Sequence, residues 1–278
     1  MKKITAIFIF LLVSNMLLAQ KNEKIKGSRT VTTEQKEIGN FSSLEVNDNI
    51  EVYLDRGEKS ELKIEADDNL HNIITIDLTA NTLRISTTKE ATSFKKLIVR
   101  ITYTKELKMI TANNKAIINA IQEIQLDEIS FKSYDNSKLN LNIDSKKFSL
   151  QLDHNSKTEL NLKSENSSIA LSKNATLKAL ISTLNLKCDL YQKGKATLEG
   201  DASNAIIRLD NNSSFTGSKF VVKNAELLAE NYSSCIVNVS GSLSLSASGN
   251  STIQLYGDQK IETKKFMDNA TLIKKPTK

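Results

Sequence analysis

The chain has 278 residues, 39% hydrophobic and 25% charged, with 38 basic against 32 acidic side chains for a net charge of +6. Acids and bases interleave along its length, which describes solvated strand faces rather than a nucleic-acid-binding stripe. Two cysteines, two histidines and no tryptophan leave no metal-ligand spacing and no aromatic platform for sugars. No cofactor and no catalytic residue are therefore assigned.

The first element is a secretory signal peptide over residues 1–19. Lys2 and Lys3 form its basic start, residues 4–13 its apolar stretch, and Ala19 its cleavage point. The apolar run is too short to span a bilayer comfortably and is broken by Ser14 and Asn15, and no later segment approaches spanning length. Loss of two lysines lowers the net charge from +6 to +4. The exported chain would begin at Gln20, with residues 20–28 as a linker.

Residues 29–110 read as an irregular β region that caps a solenoid. Strand patterns occur at 41–46, 50–54, 62–64, 74–78, 83–85 and 97–103, where apolar and polar residues alternate. Arg56-Gly57 and Ala80-Asn81 are candidate hairpin turns. Asp67 to Ile74 suits a short helix, with acids first and Leu70, Ile73 and Ile74 on one side.

From residue 111 to 278 a period takes over. Asn136, Asn155, Asn174, Asn212, Asn231, Asn250 and Asn269 stand 19 residues apart with one slot missed, at Lys193, in a chain with 27 asparagines. A fixed period of this length is the mark of a solenoid whose rungs stack. Each rung carries two alternating runs, such as Leu139, Leu141 and Ile143, then Phe148, Leu150 and Leu152. Apolar columns align between rungs. One holds Leu152, Leu171, Leu190, Leu209, Leu228, Ala247 and Phe266; another holds Leu141, Leu160, Ala179, Leu198, Gly217, Ile236 and Leu255. The expected fold is all-β, a right-handed parallel β-helix with rungs of about 19 residues and an irregular N-terminal β cap.

The repeated asparagines are read as a structural corner ladder, because asparagine tolerates the left-handed backbone region. At the missed slot Gly194 follows Lys193, and glycine can make the same turn. A second set, Asn166, Asn185 and Asn204, marks another corner, where amides of successive rungs can bond one another. Cys188 falls in an inward column with Leu150, Ile169, Ile207 and Leu245, as a small buried hydrophobe. Cys235 is out of phase with it, so no disulfide is expected. Lys264, Lys265, Lys274, Lys275 and Lys278 make a basic C-terminal end, read as a polar cap on the last rung.

The stretches Phe41-Ser-Ser-Leu-Glu-Val-Asn-Asp-Asn-Ile-Glu-Val-Tyr-Leu54, Leu62 to Leu70, Asn81-Thr-Leu-Arg-Ile85 and Ser246 to Gly257 resemble the putative auto-transporter adhesin family with the head GIN domain. That family comprises exported proteins common in Bacteroidetes-type bacteria. The resemblance spans about residues 29–273 and implies a β-helix-like fold and an adhesin label, with no catalytic motif to transfer. The family's Gly/Ser-rich corners are replaced here by Asn-Ser and Asn-Ala, with only 9 glycines in all.

The expected function is a non-enzymatic exported module for adhesion or binding, in the periplasm, on the outer-membrane surface or outside the cell. Outward residues such as Lys157, Glu159, Asn161 and Lys163 form a flat polar face suited to multivalent contacts. The partner is not assigned; a glycan or another envelope or surface protein would suit such a face, with no nucleic acid, and ligand-binding residues are not assigned. The alternatives are a polysaccharide lyase or glycosidase, whose carboxylates would be drawn from Asp135, Asp144 and Asp153 beside His154, and a structural or envelope-sensing partner.

Overall fold

The computed structural model describes residues 23–276; the signal-peptide reading of residues 1–19 lies outside them. The chain is 69% strand and 2% helix and winds into a parallel β-solenoid of about nine turns. Its N-terminal part comprises β1 (Lys24–Lys26), β2 (Val31–Glu37), β3 (Ser43–Val46), β4 (Glu51–Arg56), β5 (Glu61–Asp67), a 3-10 turn (Asp68–Ile73), β6 (Ile74–Thr79), β7 (Thr82–Thr87), β8 (Glu90–Thr92), β9 (Leu97–Tyr103) and β10 (Met109–Ala112). The long rungs are β11 (Ile117–Ser133), β12 (Lys138–Leu152), β13 (Lys157–Leu171), β14 (Thr176–Leu190), β15 (Lys195–Leu209), β16 (Ser214–Ala229) and β17 (Ser234–Ala247). The shorter β18 (Thr252–Tyr256), β19 (Lys260–Phe266) and β20 (Thr271–Lys274) end the stack.

Each long rung bends once into two arms. In β12 the first arm buries Leu139, Leu141 and Ile143 and the second buries Phe148, Leu150 and Leu152. The next rung repeats this 19 residues on, with Leu141 beside Leu160 and Leu150 beside Ile169. Alternation sends the other residues to solvent. Each inward aliphatic side chain contributes roughly 1.5–3 kcal/mol, and no rung can bury its own face without neighbours on both sides.

The strict period fails in one place. Thr197 pairs with Thr216, but Glu199 pairs with Lys219, so β16 gains a residue there. Leu209 therefore stacks on Ala229, not Leu228, and Gly217 stacks on Val237, not Ile236. Leu228 and Ile236, expected inward, are half-buried on the outer surface, while Ala229 and Val237 hold the columns. The following pairing, Ala229 with Ala247, is one residue short, which restores the phase.

The N-terminal strands are not stacked in chain order. β3 and β4 lie on β10 and β11, with Leu44 beside Ile110 and Val52 beside Ile118. β7 and β9 lie on their far side, with Leu44 beside Leu83 and Val52 beside Val99. Beyond them the parallel pattern stops: β2, β5 and β9 pair antiparallel, and so do β6 and β7. The outer strand β2 is mostly exposed and polar, which blunts that edge. Ala80 and Asn81, at φ 49° and 63°, close the β6–β7 hairpin with the double left-handed turn such hairpins favour. Arg56-Gly57 closes no hairpin, because β4 and β5 flank opposite edges of β9 and the chain must cross past it.

Residues 24–26, in the stretch expected to be linker, form β1 and pair with β8. Asp67 anchors this region. Fully buried, its carboxylate accepts backbone N–H bonds from Arg29 at 2.8 Å, Lys95 at 3.1 Å and Lys96 at 3.0 Å, so one side chain ties two connecting segments to the cap.

Candidate functional site

Three repeated features stand out along the stack: two corners and one outward face. At the first corner the backbone turns through two successive left-handed residues. The pairs are Asp135/Asn136, His154/Asn155, Lys173/Asn174, Gln192/Lys193 and Asn211/Asn212, with φ between 44° and 68°. The second residue of each pair donates its N–H to the first residue of the next pair. Asn136 reaches the His154 carbonyl at 3.0 Å, Asn155 that of Lys173 at 3.1 Å, and Lys193 that of Asn211 at 3.0 Å. Asparagine suits the second position, since it adopts the left-handed region more readily than other residues with a Cβ.

The remaining expected corner residues behave differently. Asn231 (φ 45°) takes the first position, with Tyr232 (φ 61°) second, a consequence of the inserted residue in β16. Near Asn250 and Asn269 the left-handed residues are Gly249 and Asp268; the Asn269 amide instead donates to Asn250 Oδ1 at 3.0 Å. Lys193 itself adopts φ 68°, so Gly194 does not make the turn in its place. Gly194 continues an inward column of small residues, Ser137, Ser156, Ala175 and Ser213. A Cβ there would stand 2.9 Å from the Leu171 carbonyl oxygen, closer than van der Waals contact allows.

The second corner carries the amide ladder. Asn185 donates to Asn166 at 3.0 Å, Asn204 to Asn185 at 3.0 Å and Asn224 to Asn204 at 3.2 Å; Ser242 closes it on Asn224 at 2.9 Å. Asn224 escapes the 19-residue spacing for the same reason as Ala229. A shorter chain runs on the first arm, from Asn140 to Asn119 at 2.7 Å and on to Glu51 at 2.8 Å. Its sequence signal is faint, because β11 advances four residues, Ala120 to Ile124, where β12 advances two.

The acids considered for catalysis divide. His154 Nδ1 lies 3.4 Å from Asp153 and 3.9 Å from Asp135, and Lys173 reaches Asp153 at 3.3 Å. Asp144 stands apart on the first arm, paired with Lys163 at 3.5 Å. Lys219 likewise pairs with Glu199 one rung away at 3.1 Å. Opposite charges stacked rung on rung neutralise each other. Among the described residues no group of three or more His, Cys, Asp or Glu is placed to hold a metal ion. The two cysteines are free and buried; burial pushes the Cys188 thiol up to about 12 and raises that of Cys235 further, so neither is a nucleophile.

The outward face of the first arm carries two shallow hollows that together make an open groove. One hollow of about 280 Å³ spans Ile121, Asn140, Asn142, Glu159 and Asn161. A second, of about 370 Å³, shares Glu159 and Asn161 and continues to Lys178, Leu180, Thr197 and Glu199. Asn140, Glu159, Lys178 and Thr197 are register partners, as are Asn142, Asn161, Leu180 and Glu199. Two aliphatic side chains stand in the solvent along it, Ile121 at 72% and Leu180 at 56% exposure. The groove therefore offers amide, carboxylate, ammonium and apolar contacts in rows one rung apart.

A family model described as "Putative auto-transporter adhesin, head GIN domain" matches residues 40–179 and 155–258. A crystal structure of a putative adhesin from Parabacteroides merdae superimposes with a TM-score of 0.69 at 18% identity, covering 91% of this chain and 99% of that one. One described as a putative lipid binding protein from Parabacteroides distasonis gives 0.68 at 15% identity, with 91% and 99% covered. A putative adhesin from the same species gives 0.65 at 15%, with 90% and 99% covered. At these identities the likeness is one of fold. No curated protein matches the chain. Among the described residues no helix is long and apolar enough to cross a membrane.

Proposed function

The chain belongs to the auto-transporter adhesin family with the head GIN domain, and from that premise we propose that it is an exported, non-enzymatic module that binds an extended polar polymer along the first-arm groove. The observation that carries this reading is the register of Asn140, Glu159 and Lys178 beside Asn142, Asn161 and Leu180. Stacked strands repeat about every 4.8 Å, so the groove presents polar side chains in rows one rung apart, with amides at Asn140, Asn142 and Asn161 and apolar contacts at Ile121 and Leu180. A glycan chain is the ligand class favoured, since its hydroxyls pair with amides and its apolar ring faces lie on Leu180 and Ile121. Each contact is weak, and affinity accumulates over several rungs. The pairing of Asp135 and Asp153 with His154, of Asp144 with Lys163 and of Glu199 with Lys219 supports binding over hydrolysis, which needs a free pair of carboxylates.

A glycan array probed with the mature chain tests this. Binding without turnover, lost in Leu180→Asp and Asn161→Lys while thermal stability holds, is the expected result. Release of reducing or unsaturated sugar ends would replace the binding reading with an enzymatic one.

A further inference from the structure

The two ends of the solenoid are finished differently. At the N-terminal end antiparallel strands close the stack. At the other end β20 covers β18, with Ile253 beside Leu272, but β19 pairs only with β17 among the described strands. Among the described residues the second arm of this rung therefore ends in an open strand edge, beside a lip one strand high formed by β20.

This edge is not the plain polar cap its lysines suggest. Ile261 pairs with buried Leu243 and Phe266 with buried Ala247, so both continue core columns. Residues five apart normally face opposite sides of a strand. Here Leu245 pairs with Thr263 but Ser246 with Lys265, and the extra residue at Lys264 turns Ile261 and Phe266 to the same side. With no strand stacked on them they are 44% and 43% exposed, and Met267 beside them is 51% exposed. Lys260, Lys264 and Lys265 outnumber the one acid on the strand, Glu262, and Lys274 and Lys275 stand on the neighbouring lip.

We propose that the free edge of β19 is a strand-accepting site, which binds an extended segment of another protein as the missing half rung. Backbone pairing along the edge supplies the affinity and side-chain columns the selectivity. The segment that fits carries small or branched apolar residues at alternate positions, over Ile261 and Phe266, and acids between them, opposite the lysines. A second copy of this chain does not fit. Pairing two β19 edges would set Lys260, Lys264 and Lys265 of one copy against those of the other.

The full exported chain is titrated with a fluorescein-labelled peptide of alternating valine and glutamate, eight residues long, followed by anisotropy. Saturable binding is expected. It should weaken at least tenfold for a peptide with alternate backbone N–H groups methylated, for a lysine-for-glutamate peptide, and in Phe266→Lys. Ile261→Lys serves as an independent variant, and a thermal melt of each confirms folding. Equal binding of the methylated peptide would overturn the site, as would the absence of binding at millimolar peptide. Binding to vesicles of phosphatidylcholine and phosphatidylglycerol, with none to the peptide, would reassign the end to a lipid surface. A dimer in sedimentation that Phe266→Lys dissociates would reassign it to self-association.

Discussion

The Asn185 amide donates to Asn166 Oδ1 at 3.0 Å while its own oxygen accepts from Asn204 at 3.0 Å. One side chain thus joins three rungs. A charged carboxylate at this position could accept but not donate. Asn185→Asp should cost about 1 kcal/mol at neutral pH, and part of that loss should return at pH 3, where a protonated carboxyl donates again. Asn185→Ala should fall below it, because both neighbours are exposed and regain water. Urea melts of the three proteins at both pH values would show this ordering; an Asn185→Ala deficit larger than that of Asn185→Asp at neutral pH would rule it out.

At the first corner the backbone sets the cost. Asn155 has φ 61° and Lys193 φ 68°, and a residue with a Cβ and no local hydrogen bond loses about 1–2 kcal/mol there. Asn155→Ala should therefore destabilise by about 1 kcal/mol and Asn155→Gly by much less. Lys193→Asn should stabilise by several tenths of a kcal/mol to about 1 kcal/mol. A melt in which Lys193→Asn lowers the midpoint would show that the lysine side chain matters more than its backbone.

The inserted residue in β16 makes a sharper contrast. Leu171 is 1% exposed in a continuous column, and Leu171→Ala should cost about 2–5 kcal/mol. Leu228, three rungs on at the same 19-residue phase, points outward, and Leu228→Ala should cost about 1 kcal/mol or less. Denaturant midpoints compared at equal slope decide the matter. Equal losses at both sites would place Leu228 in the core and remove the insertion.

These contrasts also mark where sequence reading reaches its limit. Period and alternation expose the rungs, because inward positions are mostly apolar or small and every rung must match its neighbours. The same logic misassigns Leu228 and Ile236, since one added residue flips the face of every later position in the strand, and an adjacent leucine or valine hides the shift. The reversed stacking of β3 and β4 under β7 and β9 leaves no periodic trace, because it depends on pairings between distant segments. Corner asparagines are visible, yet their two roles, left-handed backbone and amide ladder, differ only in φ. The groove is still less legible: Ile121 lies in the irregular stretch of β11, and outward columns carry no constraint from the core.

Acid should open the N-terminal cap first. The Lys96 ammonium and the Arg100 guanidinium, at 3.0 and 3.1 Å, hold the Glu65 carboxyl at about 2, against an ordinary value of 4.5. Asp67 is pushed upward by burial, but N–H bonds from Lys96, Arg29 and Lys95 outweigh this and lower it. A carboxyl whose pKa is lower folded than unfolded binds fewer protons in the native state. Its stabilisation is complete above the unfolded value near 4.5 and is lost as pH falls towards about 2. Amide protection factors in β2, β5 and β9 should therefore fall between these limits while those in β13 and β14 hold, since no carboxyl is buried in their cores. Glu65→Gln should flatten the part of that pH dependence due to Glu65 and weaken the cap at neutral pH. A uniform fall in protection across cap and rungs would instead mean that the solenoid opens as one unit.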